Sequence, residues 1–179
     1  QYIDISMTDC AVSLNAMAAA ASLAAQEPQE PEKGMLNGGS FYDYYETQDG
    51  RYFAVGSLEP QFMSGLAAAL DLPILMSKGM SFDPDDRKTV KAALQEKFRT
   101  QSFSIWQQLF KNLDICVEPV LGLEEALSST LSEQRGWVVD VPLSTNTEQS
   151  EPQLACPIKF SRSQMHYGFI GQKLGEGKW

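Results

Sequence analysis

Histidine is almost missing from the 179 residues: His166 stands alone, which leaves few ways to build a His-based metal centre or a Ser-His-Asp triad. Cysteine is sparse too. Cys10, Cys116 and Cys156 are far apart, odd in number and without a C-x-x-C pair, so neither a disulfide framework nor a zinc site is supported. The expectation is three reduced, partly buried thiols in a reducing compartment, hence a cytoplasmic protein. No stretch reaches the roughly 18 apolar residues of a membrane span. The Ala-rich run 11–25 is interrupted by Ser13, Asn15 and Ser22 and has no basic segment before it, so it reads as a packed helix and not as a signal or anchor. Basic charge is short as well: 14 Lys+Arg face 23 Asp+Glu, a net charge of −9. A protein that neutralises phosphates along nucleic acid or an anionic membrane needs a Lys/Arg stripe, and none is present. What remains is a soluble globular profile, 43% hydrophobic and 21% charged. Its length allows one domain or one and a fraction, enough for a core without metal or disulfides.

The chain begins at Gln1 without a methionine and passes directly into Tyr2-Ile3-Asp4-Ile5-Ser6. That is a strand pattern, and a strand needs neighbours for its backbone groups; we expect a fragment of a longer protein. Residues 7–25 read as one helix with Ala11, Leu14, Ala18 and Leu23 on its packing face. Residues 26–34 hold two prolines and no apolar side chain, which marks a linker. Two β-prone aromatic runs, 41–47 and 51–56, then flank Asp49-Gly50, a hairpin signal because glycine supplies the positive φ of a tight turn. Pro60 opens a helix with Phe62, Leu66 and Leu70 on one face, closed by Pro73. Asp83-Pro84 caps and starts another, running to about Arg99 over Val90, Leu94 and Phe98. Ser104 and Gln107 are spaced as a capping box for a third, with Trp106, Leu109 and Phe110 inward. Residues 116–121 read as a strand whose Pro119 belongs at an edge or bulge, 123–129 as a short helix and 136–142 as a strand. Residues 144–153 read as a loop, 155–161 as a last extended piece, and 162–179, with four glycines, as an irregular surface course.

The fold class expected is α/β (α+β): a β-hairpin and short mixed sheet packed by several helices, preceded by a strand–helix. The divisions are 1–25 for that strand–helix, 26–40 for the linker, 41–143 for a small domain and 144–179 for a returning C-terminal segment.

The segments Phe41-Tyr42-Asp43-Tyr44-Tyr45-Glu46-Thr47, Asp49-Gly50-Arg51-Tyr52 and Val55-Gly56-Ser57-Leu58-Glu59-Pro60-Gln61-Phe62 resemble the small domain of the class III CoA-transferase superfamily. Within it they are most similar to the alpha-methylacyl-CoA racemase branch. Further resemblance lies in 4–9, 114–120, 135–139 and 157–161, so it spans most of the chain in the family's order. It implies a large Rossmann-like domain joined to this small one, and two interlocked subunits whose sites lie between the large domain of one and the small domain of the other. The substrate implied is an acyl-CoA thioester, with no cofactor and no metal. The partners implied are the N-terminal large domains of the same and the partner subunit in a homodimer, with no nucleic acid and no membrane. The strand–helix 1–25 would be the remnant of the large domain. The family's catalytic aspartate and the racemase histidine match positions before Gln1, so neither carries over, and Asp4 and Asp9 match the segment that follows them.

One catalytic residue does carry over. Glu59 matches the glutamate of the racemase Glu-Pro-Gln-Phe motif, which hydrogen-bonds the catalytic histidine, where formyl-CoA transferases have a glycine-rich loop. Ahead of Pro60 at a helix N-terminus, a carboxylate suits the dipole and suits charge stabilisation of an imidazole better than proton donation; the plain alternative is an ordinary N-terminal helix carboxylate. Tyr42, Leu58 and Met35 match positions that face acyl-CoA, against the alternative of simple packing. Arg87, Lys88 and Lys91 are interspersed with Asp85 and Asp86 on what reads as a solvated helix face, so the groups that hold CoA phosphates are expected elsewhere. The tail Ile170-Gly171-Gln172-Lys173-Leu174-Gly175-Glu176 resembles the family's terminal segment, with Gly177 where a histidine often follows. The reading is a 2-methylacyl-CoA racemase portion, inactive alone. The alternatives are a CoA-transferase working through an upstream aspartate and a non-catalytic α/β binding module.

Overall fold

The computed structural model describes residues 2–171 except Glu27, Gln29, Asn37 and Asn146. The chain forms two compact units, Gln1–Val120 and Leu121–Trp179, a division that falls inside the 41–143 segment. It is a mixed α/β protein with small antiparallel sheets.

In the first unit, β1 (Asp43–Glu46) and β2 (Tyr52–Val55) form the expected hairpin, in register Asp43↔Val55 to Glu46↔Tyr52. Gly50 takes φ +76° in its turn. Strand β3 (Val117–Pro119) joins the other edge of β2, also antiparallel. The sheet is therefore not mixed, and Pro119 lies on an edge strand, where its missing N–H costs nothing. Helix α5 (Pro84–Phe98) packs on β1 and α6 (Phe103–Phe110) on β3, while α3 (Pro60–Leu70) packs on α4 (Ile74–Lys78) and α4 on α5. Alternation in the hairpin turns Tyr45, Phe53 and Val55 inward, and the helical repeat turns Val90, Leu94 and Phe98 of α5 to meet them. The result is an aromatic core. Phe53 lies 4.9 Å from Phe103 between ring centroids, Tyr45 stacks on Phe98 at 5.4 Å, and Trp106 stacks on Phe110 at 5.6 Å. The buried indole N–H donates to the Phe98 carbonyl at 2.8 Å, and the buried Tyr45 hydroxyl to Phe41 at 2.8 Å, so the polar handles of this core are satisfied.

Several expectations are corrected. Residues 2–6 form no strand: Ser6 instead caps α1 (Met7–Leu14), accepting from the Asp9 N–H, and no described segment pairs with them. The single helix 7–25 is two, α1 and α2 (Ala16–Ala25), because Asn15 bonds back to the Ala11 carbonyl at 3.0 Å and leaves the helical backbone, the competition that Asn offers. Neither helix buries a residue, so Ala11, Leu14, Ala18 and Leu23 form no core. The cap of α6 is Ser102, not Ser104. The Phe103 N–H is satisfied from the hairpin turn, by Asp49 Oδ1 at 2.9 Å. With the helix starting there, Phe103 turns inward and Leu109 is left 43% exposed.

The second unit holds α7 (Leu123–Leu127), α8 (Thr130–Arg135), β4 (Val138–Pro142) and β5 (Ser150–Leu154). Helix α8 was not anticipated, although Ser129 caps its start and Gly136, at φ +57°, its end. Strand β5 falls in the expected loop 144–153, pairing Val138↔Leu154 through Pro142↔Ser150. Its residues are all exposed, so this strand tolerates the polar sequence that reads as loop. Residues 155–161 hold no strand. The tail runs irregularly over 162–171; 172–179, with most of the terminal-segment resemblance, lie outside the described residues.

Candidate functional site

The first unit delivers the motif residues where β2 ends. Ladder pairing stops at Val55↔Val117, and two bonds then hold the departing loop. The Gly56 N–H donates to the Cys116 carbonyl at 2.8 Å, and the fully buried Ser57 hydroxyl donates to the Ile115 carbonyl. The Leu58 N–H closes a tight turn on the Gly56 carbonyl at 2.8 Å. Glu59 follows as N-cap of α3, with extended backbone (φ −68°, ψ 142°) and Pro60 in the first helical position. Its carbonyl accepts from the Met63 N–H at 2.9 Å, while its carboxylate caps no N–H and is exposed. An exposed carboxylate with no bond to its own helix is available to a group arriving from outside the chain.

Tyr42 enters from the other side of the hairpin. Its N–H donates to Ser40 Oγ at 3.1 Å, and that hydroxyl donates to the Met35 carbonyl at 2.6 Å. Met35 is thereby tied through its backbone to the start of the hairpin, and its side chain is 37% exposed. Tyr42 and Gly56 share a cavity of about 710 Å³ with Leu36, Lys91, Cys116 and Glu118. Neither Met35 nor the half-buried Leu58 lines it, and Glu59 does not either. The structure thus brings Tyr42 to Gly56, three residues before Glu59, and leaves Leu58 and Met35 flanking.

Two residues were missed. Lys91 is not on a solvated face: its ammonium pairs with Asp43 at 2.6 Å and donates to the Gly38 carbonyl at 2.7 Å, reaching from α5 to the hairpin at the cavity wall. Only its tertiary partners reveal this. Cys116 sits at φ +50°, a left-handed backbone uncommon for a residue with a Cβ. Its thiol is pushed above the usual range by desolvation first, then by the negative charges of Glu59, Asp114 and Glu118. The Glu118 and Asp43 carboxylates around one committed Lys91 make this cavity a poor seat for phosphate. No cluster of three metal-ligating side chains occurs among the described residues, and none of their helices is long and apolar enough to cross a membrane.

Comparison with known proteins meets this geometry. Residues 1–175 match CoA-transferase family III. The chain belongs to that family. It is 33% identical over 132 residues to the alpha-methylacyl-CoA racemase of Homo sapiens, across 70% of this chain and 32% of the human protein. It is likewise 33% identical over 141 residues to the alpha-methylacyl-CoA racemase of Mus musculus, across 75% of this chain and 35% of the mouse protein. The family III chain therefore spans about a third of the length of these curated relatives. Among solved structures, a CaiB/BaiF family protein from Brucella suis is similar in fold, with a TM-score of 0.68 at 20% identity, covering 98% of this chain and 46% of that one.

Proposed function

We propose that this chain supplies the small-domain side of an acyl-CoA racemase site, an isomerase that removes the α-proton of a 2-methylacyl-CoA thioester on one face and returns it on the other. One observation carries the reading: Glu59 heads α3 in the sequence Glu59-Pro60-Gln61-Phe62 with a carboxylate bound to nothing in its own helix, in a chain 33% identical to two racemases. The thioester carbonyl acidifies the α-proton, and preorganised donors stabilise the enolate oxygen. Two bases on opposite faces permit inversion; in this reading both lie outside this chain, one an imidazole that Glu59 orients and charge-stabilises. Tyr42, Leu58 and Met35 face the acyl-CoA. The CoA phosphates are held by the larger domain, in line with the acidic surroundings of the cavity. The working enzyme is a cytoplasmic homodimer, with the large domains of both subunits as partners and no cofactor.

The test is α-proton exchange of 2-methylacyl-CoA in deuterated water. Glu59→Gln in the assembled enzyme lowers kcat by about 100-fold, and the 179 residues alone exchange nothing. Exchange undiminished in Glu59→Gln removes the reading. The family's name favours one alternative, movement of CoA between carboxylic acids; transfer to a carboxylate acceptor faster than α-proton exchange decides for it.

A further inference from the structure

We infer that Gly56 is a positioning residue: its missing side chain seats the Tyr42 ring, and that seat sets how tightly the acyl-CoA is held. The inference rests on the reading of Tyr42 as an acyl-CoA contact and adds a residue to it. A Cβ built on Gly56 would lie 3.3 Å from Tyr42 Cε2, 3.9 Å from Cδ2 and 3.5 Å from the Cys116 carbonyl oxygen. The ring edge therefore rests against the glycine Cα, in space that any other residue would fill. Among the described residues the Tyr42 hydroxyl makes no hydrogen bond and the ring has no aromatic neighbour, and the residue is 39% exposed, so packing alone places it.

The glycine cannot yield in the other direction. Its N–H is bound to Cys116 and its carbonyl to Leu58, both at 2.8 Å, so the backbone is pinned where β2 ends. Nor is glycine needed there for its conformational freedom, because Gly56 is absent from the positive-φ glycines. An alanine fits the backbone and is opposed only by the ring. A methyl group contacting a ring edge at 3.3 Å displaces the ring by a few tenths of an ångström; a branched side chain displaces it further into the cavity that Tyr42 and Gly56 share.

The experiment has two arms. In the 179-residue chain, nuclear Overhauser contacts between the Gly56 Hα atoms and the Tyr42 ring protons report the seat without any activity; their absence overturns the inference. In the assembled enzyme, Gly56→Ala raises KM for 2-methylacyl-CoA about fivefold and Gly56→Val more, with kcat within about twofold, the split expected when binding and not chemistry is disturbed. Repeating both in a Tyr42→Ala background removes most of that increase, since the two residues act as a pair. An equal increase with and without the ring, or a loss in kcat alone, assigns Gly56 to the loop and overturns the inference. Unchanged kinetics do the same. Failure of the underlying reading looks different: Tyr42→Ala by itself leaves KM untouched.

Discussion

Helices α2 and α6 are both rich in apolar residues and end in opposite states. Helix α2, Ala16–Ala25, is apolar except for one serine, yet none of its residues is buried. Helix α6, Phe103–Phe110, alternates aromatics with Ser104, Gln107 and Gln108, and buries Phe103, Trp106 and Phe110. Apolar content supplies a drive to leave water, but burial needs a surface of matching shape within reach. For α6 that surface is the hairpin, to which Asp49 fastens its first N–H. For α1 and α2 no such fastening exists among the described residues of the unit they belong to. Local capping does not separate the two cases, since neither the Asn15 side chain at the start of α2 nor the Ser102 side chain at the start of α6 makes a capping bond.

The comparison is broken most directly by truncation. Phe98 is fully buried and touches Tyr45, Phe53, Trp106 and Phe110, so Phe98→Ala costs about 3–5 kcal/mol by the cavity it leaves. Leu23 is 84% exposed, and Leu23→Ala stays within about 0.5 kcal/mol. Urea unfolding of the two variants, followed by the fluorescence of the three tryptophans, checks both. A Leu23→Ala loss as large as that of Phe98→Ala would mean that α2 is packed in solution.

Caps sharpen the same point on a smaller scale. Asp83 accepts from the Asp85 and Asp86 N–H groups at 2.8 and 3.3 Å and heads a helix that forms the core wall. Asp83→Ala costs about 1 kcal/mol of global stability. Ser6 makes an equivalent bond to the Asp9 N–H at 3.3 Å, but α1 buries nothing. Ser6→Ala therefore frays α1, seen as a loss of helical circular dichroism, and leaves the unfolding midpoint of the aromatic core unchanged. Equal shifts of that midpoint would tie α1 to the core.

What the sequence displayed follows the same line. The hairpin, the Pro60 and Asp83-Pro84 helix starts and the edge position of Pro119 were legible because each is set by local chemistry: a glycine at positive φ, a proline with no N–H to lose, a capping carboxylate. The position of Glu59 at a helix start was legible for the same reason. The start of α6 was not, since its acceptor, Asp49, is 54 residues away in sequence. Strand β5 was hidden by its polarity, which is the signature of a loop and also of an edge strand whose own side chains all stay in water. In the site, Lys91 reads as one charge among several on α5 until Asp43 and Gly38 are seen to claim it. Gly56 reads as an ordinary strand end until the Tyr42 ring is found against it.

The smallest effect tests the fastening itself. Asp49 receives the Thr47 hydroxyl at 2.6 Å and the Phe103 N–H at 2.9 Å, and these bonds, with the Thr47 hydroxyl first, hold its carboxyl below the usual carboxylate range. A carboxyl whose pKa is lower folded than unfolded stabilises the fold above the unfolded value, about 3.9 for Asp. That contribution is lost as pH falls through the folded value. Asp49→Asn retains an oxygen that can accept both bonds but no longer titrates, so its stability falls less steeply than that of the parent chain below about pH 4. Asp86, lowered by its bonds from Lys78 and Ser81, titrates in the same direction and keeps the slope from vanishing. Urea midpoints measured from about pH 5 downward decide the matter. An unchanged slope in Asp49→Asn would mean that the hairpin turn does not hold α6 through this carboxylate, and would leave the difference between α6 and α2 to shape alone.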